Sequence, residues 1–410
     1  MGQVLFANAR IVDGTAPEAR DGHVLVEDGL IREVSDRPLQ SSSARVIDLA
    51  GMTLMPGLID CHVHVVSVVV NIQMNSALPS SLTALRAVGV LRDMLMRGFT
   101  TVRDVGGADY GVKVALEEGT LQGPRLVTAG RALSQTGGHG DFRGRFGRQA
   151  FCLCHAQLGN LARVVDGVDN CRQAVREEIM LGADHIKIMA SGGVASPVDP
   201  IHFMGYSRDE ILAIVEEAQN HATYVCAHAY TAPAIARAVE CGVRSIEHGN
   251  LVDADAARLM AERDAFAVPT LITYEALANE GASLGLPADS VAKIAHVRGA
   301  GLHSLEIFRD AGVKMAYGSD LLGDMHRHQS DEFTLRGRVL NAYEVIRSAT
   351  TVAAELLRME GRIGVVAEGA YADLIVVDGD PLKDLAVLTG QGRHMPLIMK
   401  GGTAVKDTLH

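Results

Sequence analysis

The stretch that decides the fold is Met55-Pro56-Gly57-Leu58-Ile59-Asp60-Cys61-His62-Val63-His64. An apolar run follows a Pro-Gly turn dipeptide, which is typical of a buried strand that ends at the two histidines. Side chains two residues apart on a strand point to the same face, so His62 and His64 are aimed at one point. Two neutral imidazoles in that arrangement form half of a transition-metal site. A His-x-His pair alone is also consistent with two structural histidines, so the metal hypothesis needs ligands from elsewhere in the chain.

Strand and helix patterns alternate in the middle of the chain. The capping box Ser207-Arg208-Asp209-Glu210 begins a helix, and residues 223–227 predict a strand that ends at His228. Residues 243–247 predict the next strand, which ends at His248. Repeating units of this kind predict an α/β fold with a parallel sheet covered by helices, and a set of eight would form a (β/α)8 TIM barrel. A doubly wound open sheet is the alternative, and it would spread the strand-end histidines along a line.

The two ends of the chain are rich in short predicted strands separated by turn signals. These strands lie at residues 4–9, 22–26, 31–34, 373–378 and 396–400. Because chain termini often lie close together, residues 1–54 and 360–410 are expected to form one small composite β-sandwich domain. Residues 55–359 are then expected to form the metal-dependent barrel domain that carries catalysis.

Further candidate ligands stand at the ends of apolar runs. They are Lys187, His228, His248 and Asp320. In a barrel the C-terminal ends of the strands ring one mouth, so residues distant in sequence meet there. Taken singly, a buried histidine is more often a satisfied core residue, and a strand-end aspartate usually caps the next helix. The coincidence of six such residues favours a metal site.

The composition is that of a globular protein and argues against several function classes. The chain has 410 residues, 48% of them hydrophobic, and a net charge of −11. An acidic chain without a basic run is a poor candidate for binding nucleic acid or an anionic membrane, and the run 65–70 is too short to span a bilayer. The first residues lack the basic segment of a signal peptide, and six cysteines are scattered, so a reducing cytoplasm is expected. The cluster Cys152-Leu153-Cys154-His155 resembles a metal knuckle, but it lacks a second pair at zinc-finger spacing, which favours incidental thiols.

The chain resembles, over essentially its full length, the amidohydrolase superfamily, in the binuclear-metal subgroup with a carboxylated lysine. The motifs that carry the resemblance are Pro-Gly-Leu-Ile-Asp-Cys-His-Val-His at 56–64, Ile186-Lys187-Ile188-Met189, Ala227-His228-Ala229-Tyr230, Ile246-Glu247-His248-Gly249, Gly318-Ser319-Asp320 and Ala372-Asp373-Leu374-Ile375-Val376-Val377. Residues 134–141 and 189–194 look more narrowly like the Xaa-Pro dipeptidase (prolidase) branch. Amidohydrolases that remove a C-terminal amino acid from N-acyl substrates, ochratoxin included, are similar as well.

The resemblance implies two Zn²⁺ or similar divalent metals per chain. The implied ligands are His62, His64 and Asp320 for one metal, His228 and His248 for the other, and Lys187 between them as a CO₂-derived carbamate. An ammonium group repels cations, but a free lysine amine can take up carbon dioxide and become an anionic bridging ligand. Without that carboxylation a single-metal site is expected instead.

The implied function is hydrolysis of the amide or peptide bond to a C-terminal amino acid by attack of a metal-bridging hydroxide. The implied substrates are Xaa-Pro dipeptides, N-acyl amino acids or ochratoxin A, all small molecules with a free carboxylate. Asp320 is implied to take the nucleophile's proton and pass it to the leaving amine, with His248 and Tyr230 as the other catalytic residues. His139, in a glycine-rich loop, and Tyr230 are the implied substrate-binding residues.

Two further features around the expected site are weaker. Asp104 follows a predicted strand and either orients a metal ligand or has a structural role, and we favour the structural role. The long segment 137–160 predicts either a lid or a disordered loop, and as a lid its Arg143, Arg145 and Arg148 would attract an anionic substrate.

Two other functions are alternatives to the amidase hypothesis. A cyclic-amide hydrolase or deaminase that resembles imidazolonepropionase is the alternative, but such enzymes tend toward one metal and lack the lysine found here at Lys187. A catalytically dead scaffold would have lost ligands, and all six are present. The resemblance also implies a homo-oligomer, with an octamer as one form.

Overall fold

The computed structural model describes residues 2–143, 157–196, 199–286 and 288–409. The Cys152–His155 cluster, Arg145, Arg148 and most of the predicted lid lie outside the described residues. The chain divides into two compact units, the first made of residues 1–60, 92–101 and 330–410 and the second of residues 61–91 and 102–329. The predicted division into 1–54 plus 360–410 and 55–359 stays a prediction. Within the described ranges, no helix combines the length and the apolar character needed to cross a membrane.

Strands and helices alternate through the middle of the chain, and strands dominate its two ends. The strands are β1 (Val4–Ile11), β2 (Arg20–Glu27), β3 (Leu30–Ser35), β4 (Arg45–Asp48), β5 (Thr53–Pro56), β6 (Leu58–Val63), β7 (Phe99–Asp104), β8 (Arg125–Thr128), β9 (Ala132–Ser134), β10 (Ala162–Val164), β11 (Ile186–Met189), β12 (Val225–Thr231), β13 (Ser245–Leu251), β14 (Phe266–Val268), β15 (Leu374–Val377), β16 (Leu397–Lys400) and β17 (Thr403–Asp407). The helices are α1 (Ile72–Ala77), α2 (Ser80–Met96), α3 (Tyr110–Glu117), α4 (Val168–Met180), α5 (Arg208–Asn220), α6 (Ala232–Glu240), α7 (Ala254–Glu262), α8 (Leu271–Glu280), α9 (Ala288–Asp310), α10 (Asp331–Arg336), α11 (Ala342–Ser348) and α12 (Thr351–Leu356). Short 3₁₀ turns lie at Gly323–His328, Leu385–Leu388 and Gly390–Gly392.

The first unit contains one eight-stranded sheet built from both ends of the chain. Its strand order is β17-β16-β15-β5-β1-β2-β3, with β4 paired to β1. The junction between the ends is the antiparallel pair of β15 and β5, in which Leu374 lies opposite Pro56. Alternate residues of these strands, such as Phe6, Leu54 and Val376, are buried in one apolar cluster. The prediction that the strands of the two chain ends pair with each other is therefore confirmed.

Parallel strands covered by helices form the framework of the second unit, as an α/β fold requires. The six-stranded sheet has the order β10-β9-β11-β12-β13-β14 and is parallel throughout. A three-stranded sheet has the order β6-β7-β8. In the parallel register Met189 lies opposite His228, and Ala229 lies opposite His248. Along the strands, His248 is therefore one residue beyond the level of His228, and Lys187, which lies opposite Cys226, is two residues before it.

The predicted strand–helix repeat is present, but two of its strands are longer than predicted. Ser207 caps α5 by accepting from the Glu210 amide, in the capping box that the sequence indicates. The strands predicted to end at His228 and His248 continue for three more residues each, to Thr231 and Leu251. This expectation was wrong because the ladder between β12 and β13 resumes beyond the histidines, where Thr231 pairs with Leu251.

The segment 315–320 reaches both sheets through its backbone, although only Met315 forms a bridge. The Ala316 amide donates to the Ala267 carbonyl over 2.8 Å, which joins the segment to β14. The Cys61 amide donates to the Tyr317 carbonyl, and the Asp320 amide donates to the His62 carbonyl, each over 2.8 Å. These bonds to β6 place Asp320 beside His62.

Candidate metal centre

Four histidines from three separate parts of the chain converge in one cavity of the second unit. The ring centroids of His62 and His248 are 4.9 Å apart, and those of His228 and His248 are 4.7 Å apart. The ring centroids of His62 and His64 are 5.5 Å apart. The same cavity is lined by Lys187 and Asp320, so all six predicted ligands meet in one place.

The Asp320 carboxylate lies close to three of the four histidines. Its Oδ1 lies 3.3 Å from His62 Nε2 and 3.4 Å from His64 Nε2, and its Oδ2 lies 3.9 Å from His248 Nδ1. One donor atom each from His62, His248 and Asp320 lie within 4.8 Å of one another, which is the geometry of a candidate metal site. Burial alone would raise the pKa of the Asp320 carboxyl, but the His62 and His64 rings hold it well below its usual range. The resting carboxylate is therefore an anion able to serve as a ligand or accept a proton.

The backbone is left-handed at two of the candidate ligands. Asp320 has a φ of +52° and His248 a φ of +74°, a region that few residues other than glycine adopt. The backbone that leads into each residue is hydrogen-bonded to a neighbouring strand. At the residue itself the left-handed conformation interrupts the regular alternation of side chains between the two faces of the sheet. The sequence pattern gives no sign of this conformation.

Each histidine is held through one ring nitrogen, which leaves the other for a metal. His62 Nδ1 donates to Glu247 Oε2 over 2.8 Å, and His64 Nδ1 donates to the Gly106 carbonyl over 2.8 Å. The remaining two rings are anchored to Thr270 Oγ1, 2.8 Å from His248 Nδ1, and to the Gly192 carbonyl, 3.1 Å from His228 Nε2. Partners of this kind fix the tautomer and orientation of metal-binding histidines. The donor set therefore fits a divalent metal.

The protonation state of two of the histidine rings favours metal binding. Burial holds the pKa of the His228 and His248 imidazoles well below its usual value, so both are neutral near neutral pH. At His64 burial acts in the same direction, but the hydrogen bond to Asp320 outweighs it and raises the pKa. A metal would have to displace the His64 proton that this contact favours.

A fully buried ion pair lies next to His62. It was not predicted from the sequence. The Arg103 Nη2 donates to both carboxylate oxygens of Glu247, over 2.8 and 2.9 Å, and neither side chain is exposed. Ser245 Oγ donates to Glu247 Oε1 over 2.7 Å, and Arg103 Nε donates to the Cys61 carbonyl over 2.6 Å. Burial alone would raise the pKa of the Glu247 carboxyl, but Arg103 holds it well below its usual value. The signal available in the sequence was a charged residue on each of two strands that are buried along most of their length, Arg103 on β7 and Glu247 on β13.

Lys187 is buried on β11 with 2% of its surface exposed. Among the described residues its ammonium group has no hydrogen-bond or ion-pair partner, although it lines the cavity with the four histidines. A buried lysine without a counter-ion is unfavourable, so its position points to chemistry beyond packing.

The two predicted substrate-binding residues also line the cavity. The Tyr230 hydroxyl is 2.9 Å from the Tyr274 hydroxyl, and the Tyr230 ring lies 5.3 Å from His248. The His139 ring stacks on His228 with a centroid separation of 4.2 Å. The rest of the wall is largely apolar and consists of Ile72, Phe142, Leu161, Met189, Val194, Ala195, Thr273, Leu277 and Leu322.

Two residues near the site, Arg143 and Asp104, have structural partners. The Arg143 guanidinium donates to Asp141 over 2.7 and 2.6 Å and is committed to that carboxylate. The Asp104 carboxylate accepts hydrogen bonds from the backbone amides of Val65 over 2.7 Å and Gly106 over 3.0 Å. These bonds support its structural role.

Comparison with known proteins connects this site to a family. The profile of the amidohydrolase family matches residues 53–404. Ochratoxinase of Aspergillus niger is 30% identical over 412 residues, covering 97% of this chain and 85% of the relative. A solved prolidase in complex with N-methylphosphonate-L-proline is 53% identical with a TM-score of 0.97, covering 99% of this chain and 100% of that one. A Xaa-Pro dipeptidase with methionine bound in its active site is 28% identical with a TM-score of 0.89, covering 98% and 100%.

A profile match over residues 53–404, two similar solved structures and a cavity whose donors suit a divalent metal all agree. The chain therefore belongs to the amidohydrolase family and is a metal-dependent hydrolase of amide bonds.

Proposed function

We propose that the chain is a dinuclear zinc amidohydrolase that releases the C-terminal amino acid from small substrates. Xaa-Pro dipeptides, N-acyl amino acids and ochratoxin A are the substrate classes of this proposal. The observation that carries it is the meeting of four imidazoles, one carboxylate and an uncompensated buried lysine in a single cavity. Similarity to ochratoxinase and to a prolidase solved with N-methylphosphonate-L-proline supports the substrate class.

The metals would be held by the residues that line the cavity. One would be bound by His62, His64 and Asp320, and the other by His228 and His248, with carboxylated Lys187 between them. When bound, divalent zinc supplies a Lewis acid that activates water near neutral pH and polarises a carbonyl. Support comes from the second ring nitrogen of each histidine, which the protein already holds.

The chain's own residues then handle protons and orientation. Asp320, anionic at rest, accepts the proton of the attacking water and delivers it to the departing amine, which leaves only as a neutral species. Tyr230, fixed by Tyr274, presents a hydroxyl that orients the scissile group. The apolar wall keeps bulk water out and strengthens each polar contact inside.

The substrate carboxylate is expected at His139. The described cavity wall holds no arginine, and Lys187 lies among the metal-binding residues, so the histidine is the donor best placed for a second anionic group. A neutral, apolar acyl group or side chain would suit the remaining wall.

We also propose that the two parallel sheets are arcs of one (β/α)8 barrel, accompanied by a β-sandwich built from the chain ends. Support comes from the backbone bonds of segment 315–320 to β14 and β6, and from the Asp184 amide, which donates to the Thr128 carbonyl over 2.7 Å. The homo-oligomeric state and the cytoplasmic location stay predictions.

The test is a substrate panel for purified, metal-loaded protein. Xaa-Pro dipeptides, N-acyl amino acids and ochratoxin A are incubated with enzyme, and released amino acid is quantified by chromatography. Metal-depleted protein and the Asp320→Asn variant serve as controls. We expect metal-dependent release from at least one linear class. Cleavage of cyclic amides alone would overturn the proposal in favour of an activity similar to that of imidazolonepropionase.

A further inference from the structure

Lys293, on helix α9, is bonded entirely to one loop. Its ammonium group donates to the carbonyls of Gly193 and Ser196, each over 3.0 Å, and to the carbonyl of Asp199 over 2.8 Å. An ammonium group has three donors, so all of them are used on the segment that follows β11. The loop is therefore tied to α9 by a single cation.

The same loop holds His139. Asp199, with 1% of its surface exposed, accepts from the Gly193 amide over 2.8 Å and from the Ser196 hydroxyl. His139 Nδ1 lies 2.7 Å from Ser196 Oγ and 3.3 Å from Asp199 Oδ2. With Nδ1 engaged in this way, Nε2 is the ring nitrogen left for a ligand in the cavity.

The His139 ring is closely packed against His228 and Gly193. It stacks on His228 with an interplanar angle of 20°. A Cβ added at Gly193 would overlap the ring atoms of His139. The backbone of Gly193 is outside the left-handed region, so the ring, rather than the backbone conformation, explains the glycine.

We propose that Lys293 is a positioning residue that sets the affinity for the substrate's carboxylate. It fixes the loop, the loop's Asp199 and Ser196 fix His139, and His139 presents Nε2 to the carboxylate. The role in affinity rests on the function proposed above, whereas the ordering of the loop does not.

Hydrogen exchange tests the ordering without any substrate. In Lys293→Met we expect exchange at the Gly193 amide to accelerate by at least about tenfold, because three charge-assisted bonds that hold the loop are lost. Lys293→Arg, which keeps the charge, should restore most of the protection. Arg298→Met is the matched control on the same helix, since Arg298 pairs only with exposed Glu275 in the described structure. Unchanged exchange in Lys293→Met would overturn the proposal.

Kinetics test the affinity role with a cleaved substrate from the panel. Lys293→Met should raise KM for the free acid by about tenfold with kcat within about twofold, and leave KM for the methyl ester unchanged. Gly193→Ala should raise KM in the same way, but should add nothing in a His139→Ala background. Equal effects on acid and ester, or additive effects of Gly193→Ala and His139→Ala, would overturn the carboxylate role. If no panel substrate is cleaved, the proposed function fails, and the exchange data alone decide whether Lys293 orders the loop.

Discussion

Replacing Glu247 by glutamine removes the charge that compensates a buried guanidinium. In the wild type, Glu247 accepts bonds from Arg103, Ser245 and His62 with no exposed surface. Glutamine keeps the size of the side chain but presents an amide NH₂ to neighbours that are themselves donors. The oxygen that becomes NH₂ accepts two bonds in the wild type, one from Arg103 and one from Ser245 or His62. Up to two bonds are therefore lost, and Arg103 is left without its counter-ion.

The expected loss is large compared with the stability of a folded protein. Removing one partner of a buried ion pair costs about 3–5 kcal/mol, whereas total unfolding free energies are about 5–15 kcal/mol. The unfolding free energy of metal-free Glu247→Gln should therefore fall by about 3–5 kcal/mol in a urea titration followed by circular dichroism. Zinc affinity, measured by competition with a chelating indicator, should weaken by about 10–100-fold because His62 loses the partner that orients it.

An exposed pair of the same chemistry provides the control. Arg208 and Glu240 are 2.6 Å apart with side chains 54% and 44% exposed, so Glu240→Gln should cost less than about 1 kcal/mol. Arg103→Met added to Glu247→Gln should recover part of the loss, because neither charge of this ion pair then remains. Equal urea midpoints for Glu247→Gln and Glu240→Gln would refute the reasoning.

Other substitutions test the remaining parts of the site and fold. Asp320→Asn at full metal occupancy should lower kcat by about 10²–10⁴-fold, and near-wild-type turnover would rule out the proton shuttle. Elemental analysis should find about two metal ions per active chain, and Lys187→Ala should lose a large share of them. Acetate or propionate should restore part of the activity of Lys187→Ala. Full activity with one tightly bound metal contradicts this prediction. Masking the substrate's α-carboxylate as a methyl ester should lower kcat/KM by more than about tenfold. His139→Ala should reduce this difference in kcat/KM between acid and ester. Equal cleavage of acid and ester by the wild type would count against the carboxylate pocket. Gly57→Ala should lower the unfolding free energy by about 1–3 kcal/mol, because the new Cβ would overlap the Thr100 side chain; an unchanged melting temperature would show that the turn has room.

The candidate ligands could be predicted because each interrupts an apolar run. His62, His228 and His248 are polar residues on buried strands, and this contrast is visible without a structure. The capping box at Ser207 was equally local, and it is confirmed.

What the sequence could not reveal depends on pairing between distant strands. Glu247 and Arg103 are 144 residues apart, and only their adjacency shows that one compensates the other. The bonds from Lys293 to a loop about a hundred residues earlier are of the same kind. The ends of β12 and β13 were misplaced for a related reason, because a ladder is extended by the neighbouring strand rather than by the strand's own residues.

The left-handed backbone at Asp320 and His248 has a consequence for how this chain tolerates mutation. Conformations of this type cost about 1–3 kcal/mol at residues other than glycine, and only the surrounding structure maintains them. Glycine at either position would relieve that strain while removing a candidate ligand, so selection for stability and selection for activity oppose each other at these two residues. Variants selected only for resistance to heat should therefore accumulate changes here that leave a better-folded but inactive protein.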